Sequence, residues 1–179
     1  MKSSTSPSYS RYSPLIQQPY CCVPTCIQMV MVKNKLPLIP AEEIGYHFGL
    51  VVPPEKAKYF IHVRTSLEKP PAGYGTRIYD PKYNPNKAFK KLGIPLALTI
   101  KPITEFESAK KLVDYLKGIE NDDKDALLCF HHGTLLDNPE KDWGHVVVFD
   151  RIIDGKLRIV DPDPQDPKWN LVTPQKMYK

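Results

Sequence analysis

Apolar side chains fill nearly every position from Pro24 to about Lys33, with Ile27, Met29, Val30, Met31 and Val32 in succession. A helix without a polar stripe is a buried helix, and Pro24 sits near its first turn, where a missing N–H costs nothing. Short helices are expected at Ala41 to Phe48, Pro54 to Ile61 and Pro85 to Leu92. Between them, residues 64 to 85 hold Pro70-Pro71, Gly73, Gly75 and Pro81 and read as a long irregular loop, a common place for binding. Pro95 to Ile100 reads as a strand. The next segment has the strongest helical period, with Ala109, Leu112, Val113, Leu116 and Ile119 on one face and Ser108 as N-cap. Strands follow at Ala126 to His131, His145 to Ile153 and Lys156 to Val160, the last two joined by an Asp154-Gly155 hairpin turn. Helices come first and hairpin-linked strands afterwards, so the pattern predicts an α+β fold rather than a parallel α/β sheet.

Length changes this picture little. At 179 residues the chain is one domain, read as a flexible Ser-rich leader over 1–14 and a catalytic-size domain over 15–179. Such a chain buries roughly 70% of its unfolded surface and folds without metal or disulfide. Its 19 prolines against 9 glycines imply short helices and many fixed, extended connections. The net charge of +5 is spread among acidic residues; even Tyr74 to Lys91 reads as a solvated face, so no nucleic-acid partner is expected. No apolar run reaches membrane-spanning length, and the first residues lack the hydrophobic segment of a secretory signal. Three of four cysteines crowd into Cys21, Cys22 and Cys26, which is not a disulfide framework. The expected setting is cytoplasmic and reducing, with export by a signal-independent route left open.

The candidate chemistry lies at the helix start and on the late strands. Cys22 immediately precedes the buried helix, whose first turn presents unpaired N–H groups and a partial positive charge that favours thiolate. Cys26 and Cys129 read as small buried apolar residues, and the side chain of Cys21 is expected to point elsewhere. His145 opens the strand Val146-Val147-Val148-Phe149, where imidazole suits proton exchange near neutrality. Asp161 ends the return strand at the same end of the sheet, placed to fix the histidine tautomer. Simple two-residue pairing leaves these two about three positions out of register, so a bulge or wider turn is required. His131 and His132 alternate across a strand end, so at most one faces any given site. Gln17 or Gln18, just upstream of Cys22, offers an amide for an oxyanion hole. A zinc site on Cys22, Cys26 and a histidine has the wrong spacing, so neither metal nor other cofactor is expected.

Gln17, then Cys22-Val23-Pro24-Thr25 opening an apolar helix, then Gly144-His145-Val146-Val147-Val148 and Val160-Asp161-Pro162, resembles the papain-like cysteine peptidases. The closest similarity is to the bacteriocin-processing-peptidase-like (double-glycine peptidase-like) branch, in which an Asp-Pro follows the histidine by sixteen residues, as Asp161 follows His145 here. The resemblance implies a central helix led by Cys22 and packed on a C-terminal antiparallel sheet carrying His145 and Asp161. It implies a peptide, protein or other acyl substrate. Two departures stand out: Val23 replaces the usual glycine after the nucleophile, and Gln17 stands five residues before Cys22 where six is commoner.

Three functions are compatible with these residues. A Cys22/His145/Asp161 hydrolase would proceed through a covalent thioester. An acyltransferase would use the same triad with an amine or thiol acceptor. A catalytically inert binding module would keep the fold alone.

Overall fold

The computed structural model describes residues 10–137, 140, 143–166 and 168–178. The chain divides into two compact units, Ile16–Ile100 and a second made of Met1–Leu15 with Lys101–Lys179. It is mixed helix and sheet, and its larger sheet is a four-stranded antiparallel one, as the α+β pattern requires. Among the described residues no helix is long and apolar enough to cross a membrane.

The unit Ile16–Ile100 is mostly helical. Helix α1 (Cys22–Lys33) is buried along nearly its whole length, from Val23 and Pro24 to Met31, as its unbroken apolar run predicts. It packs on α2 (Ala41–His47), and α2 on α3 (Pro85–Leu92). The expected helix at 54 to 61 is a 3₁₀ segment, Pro54–Tyr59. Two very short parallel strands, β1 (Val51–Val52) and β2 (Arg64–Thr65), went unrecognised in the sequence because two residues carry no period. The strand expected at Pro95 to Ile100 does not form. Asn86 takes over its hydrogen bonding: the side-chain oxygen accepts from Leu98 N–H (2.7 Å) and the side-chain nitrogen donates to Leu98 C=O (2.9 Å). A side chain thus replaces the strand partner that this alternating segment lacks.

In the other unit, α4 (Ala109–Asn121) is capped by Ser108, whose hydroxyl accepts from Lys111 N–H at 3.2 Å. Strand β3 (Ala126–His131) leads into the short helix α5 (His132–Leu136). Strands β4 (Gly144–Ile153), β5 (Lys156–Val160) and β6 (Trp169–Val172) complete the sheet in the order β3-β4-β5-β6, followed by α6 (Pro174–Tyr178). Leu112 and Leu116 of α4 and Met177 of α6 bury the sheet face formed by Val147, Phe149, Leu157, Ile159 and Val172. Asp154 and Gly155 both have positive φ (48° and 73°), which gives the tight β4–β5 hairpin its twist.

Of the expected leader, residues 1–9 lie outside the described residues. Arg11 and Tyr12 are anchored: the Arg11 N–H donates to Asp150 Oδ1 at 2.7 Å, and the Tyr12 hydroxyl donates to Asp125 at 2.6 Å. The buried carboxylate of Asp150 also meets the buried guanidinium of Arg158 at 2.7 Å. The stretch 10–14 therefore carries part of the sheet's polar interior.

Candidate active site

Asp150 is where the β4–β5 ladder slips. Arg151 pairs with Arg158, but beyond Asp150 Phe149 pairs with Ile159 and Val148 with Val160, so one residue of β4 is bulged out. Without the bulge His145 and Asp161 would be offset by an odd number of positions and face opposite sides of the sheet. The bulge makes the offset two, a same-face diagonal, supplying the register change that the turn alone cannot.

The result is a buried imidazole–carboxylate pair. His145 is 2% exposed and Asp161 fully buried. The His145 Nε2–H donates to Asp161 Oδ1 at 2.8 Å, and the same oxygen accepts from Asp163 N–H at 2.8 Å. Asp161 N–H in turn donates to Lys168 C=O at 3.0 Å, closing the loop that carries the carboxylate. Asp161 Oδ2 is buried without a hydrogen-bond partner. The Phe130 ring stands edge-on to His145, with centroids 5.9 Å apart.

A second pair lies against the first. His132 is fully buried, its Nε2–H donates to Asp166 Oδ2 at 2.6 Å, and its ring stacks on His145 with centroids 4.3 Å apart and planes 27° apart. His131, by contrast, ends β3 exposed. The sequence alternation admitted one of these two histidines to a site without saying which. The available signal for Asp166 is the run Asp161-Pro162-Asp163-Pro164-Gln165-Asp166, three carboxylates on a proline-stiffened turn.

Two overlapping sets of groups, His132/His145/Asp161 and His132/Asp163/Asp166, bring metal-ligating atoms within 4.8 Å of one another. Ligands of one tetrahedral zinc ion, each at ~2.1 Å, lie about 3.4 Å apart. The N···O contacts of 2.8 Å and 2.6 Å are hydrogen bonds, closer than a shared ion leaves them. Rings stacked at 27° with centroids 4.3 Å apart also lie in nearly parallel planes, so no point close to both rings lies in the plane of each.

The remaining candidate residues belong to the unit Ile16–Ile100. Cys22 is half-buried and is the first residue of α1; the helix begins two residues earlier than its apolar run suggests, with Cys21 as N-cap. Its N–H is thus among the unpaired donors of the first turn. Just upstream, Tyr20 is held at φ 65°, a left-handed conformation unfavourable for a bulky residue, with its ring against Tyr74 at 5.6 Å. Cys21 is fully buried, and burial, followed by the neighbouring Cys22 and Glu42, pushes its thiol up to about 12. Cys26 is buried as expected, whereas Cys129 is exposed: it occupies the outward face of β3. The Gln18 amide is committed to the Tyr59 carbonyl at 2.9 Å. Gln17 is half-buried, and its Oε1 is buried without a hydrogen-bond partner. Val23, the residue in the glycine position, is 6% exposed, so its bulk is packed inward.

No protein-family model, no curated protein and no solved structure matches this chain.

Proposed function

We propose that the chain is a papain-like cysteine hydrolase acting on an amide or other acyl bond, with Cys22 as nucleophile, His145 as base and Asp161 holding the histidine. The reading is carried by one observation, the buried 2.8 Å hydrogen bond from His145 to Asp161. A carboxylate placed there fixes the tautomer and stabilises imidazolium when it forms. The start of α1 supports Cys22, the one half-exposed thiol at a helix N-terminus.

With Nε2 given to Asp161, Nδ1 is the nitrogen that exchanges the reactive proton. The Cys22 thiol proton passes to His145 Nδ1 as sulfur attacks the acyl carbon, and the carbonyl electron pair moves onto oxygen. The Cys22 N–H and the Gln17 amide are the donors assigned to that oxyanion, since Gln18 is engaged elsewhere. Collapse of the tetrahedral species expels the leaving group, which takes the proton from His145, and leaves a thioester on Cys22. Water, deprotonated by His145, then releases the acid and restores the thiol. An amine acceptor in place of water would give transfer through the same steps.

The test is chemical and needs no known substrate. A 1,3-dihaloacetone should join Cys22 to His145 within one chain, identified by peptide mass spectrometry, and pre-alkylation of Cys22 should prevent it. A reagent that labels Cys22 and exposed Cys129 equally slowly, with no Cys22–His145 product, would identify an inert module instead.

A further inference from the structure

We infer that His132 and Asp166 form a positioning pair for His145, stacked so that the two imidazoles together accept one proton readily and resist a second. As a catalytic device the inference rests on the reading of His145 as the base; the electrostatic coupling itself does not. Its origin is the abrupt end of β3. His131 finishes the strand in solvent, and His132 turns inward as α5 begins, its N–H donating to Trp143 C=O at 2.8 Å. The Trp143 ring then meets the His132 ring nearly edge-on, with centroids 5.5 Å apart, and Asp166 Oδ2 takes its Nε2–H at 2.6 Å. Backbone, indole and carboxylate thus set the ring that lies 4.3 Å from His145.

Stacking this close has an electrostatic consequence. Two imidazolium charges separated by about 4 Å in a buried site repel strongly, so protons enter such a pair in two widely separated steps that belong to the pair. Among the described residues, Asp161 lies beside His145, and Asp163 and Asp166 lie beside His132. The Lys168 ammonium donates to the backbone carbonyl of Asp163. The three carboxylates favour the first proton, while the neighbouring ring opposes the second. A proton delivered to His145 during attack is accommodated when His132 is neutral. When His132 carries the proton, with Asp166 as its counter-ion, His145 stays unprotonated and its proton affinity is lowered.

The test is an NMR titration of the full chain with labelled histidine, following the ring signals of His132 and His145. In the unsubstituted protein the two uptake steps should lie about two pH units or more apart. His132→Phe keeps a flat ring and removes the charge, so His145 should titrate in one step at a midpoint between the two. The coupling energy is the same from either side, so His145→Phe should likewise leave His132 with a single step, and the ring that takes the second proton in the unsubstituted protein should show the larger upward shift. Independent titration of the two rings in the unsubstituted protein, or remaining rings unmoved in both His132→Phe and His145→Phe, overturns the inference; the first measurement holds even if the variants do not fold. Alkylation of Cys22 against pH, run in parallel, reports the catalytic reading separately. Coupled rings without an activated Cys22 would sink that reading and leave the coupling standing.

Discussion

Asp161→Asn separates charge from geometry at this site. Asp161 Oδ1 receives two donors, His145 Nε2–H and Asp163 N–H, both at 2.8 Å. An asparagine that keeps its oxygen there satisfies both, so the amide is held in one orientation and the histidine tautomer is preserved. The negative charge opposite the imidazolium is lost. Two unit charges about 4 Å apart at an effective dielectric of about 20 interact by about 4 kcal/mol, an upper limit that corresponds to about a thousandfold in rate. The new Nδ2 occupies the place of Oδ2, which is buried without a partner, and an unsatisfied buried donor costs about 1–3 kcal/mol of stability. Acylation of Cys22 by a p-nitrophenyl ester, followed by nitrophenolate release, should therefore slow by about 10²–10³-fold in Asp161→Asn. His145→Ala removes the base itself and should slow it by about 10⁴-fold or more. Urea unfolding measures the stability change on the same samples. Equal rate losses in the two variants, or an undiminished rate in Asp161→Asn, would refute the role given to the carboxylate.

The other predictions read the neighbouring residues. Iodoacetamide near neutral pH should modify Cys22 well before Cys129, although Cys129 is exposed, and leave Cys21 and Cys26 unmodified; comparable rates at 22 and 129 would remove the case for activation. Arg158→Met removes the closest cation from the buried Asp150 carboxylate, leaving the Arg11 N–H and Arg151 at 3.5 Å, and should cost about 3 kcal/mol in urea unfolding, with much of it recovered when Asp150→Asn is added. The Cys21 thiol is raised by burial to about 12 from 9.0, so the unfolded state gives up its proton first. This contribution to stability is intact below pH ~9 and declines by up to about 1.4 kcal/mol per pH unit above it, and Cys21→Ala should flatten the decline. Gly49→Ala should destabilise the chain by more than about 1 kcal/mol, because φ is +72° and the new Cβ would lie 2.6 Å from the Tyr83 ring; an unchanged melting temperature would contradict this.

What the sequence disclosed is what periodicity and chemistry write locally. The unbroken apolar run of α1, the single apolar face of α4 and the Asp154-Gly155 turn each follow from a few adjacent residues, and each forms as expected. The need for a bulge or a wider turn was also legible, since turn length fixes register and register fixes facing. Its location was not, because Asp150 is held there by Arg158 and by the backbone of Arg11, and the latter is 139 residues away in the chain. The strand expected at Pro95 to Ile100 failed for a related reason: alternation describes a segment's own faces and says nothing about whether a partner strand exists. Cys129 is the converse case, a small apolar residue in a strand that sits on the outward face.

The His132–Asp166 pair draws these points together. Nothing near residue 132 in sequence announces a carboxylate, because Asp166 arrives through two further strands and a proline-stiffened turn. The same turn supplies Asp161 and Asp163. One segment of six residues therefore sets the electrostatics of two histidines, one opening α5 and the other in β4. A substitution at Pro162 or Pro164 that loosens the turn should disturb both rings together. Equal movement of the His132 and His145 NMR signals in Pro164→Ala would be the signature of that shared support, and movement of one ring alone would show that the two carboxylates are held independently.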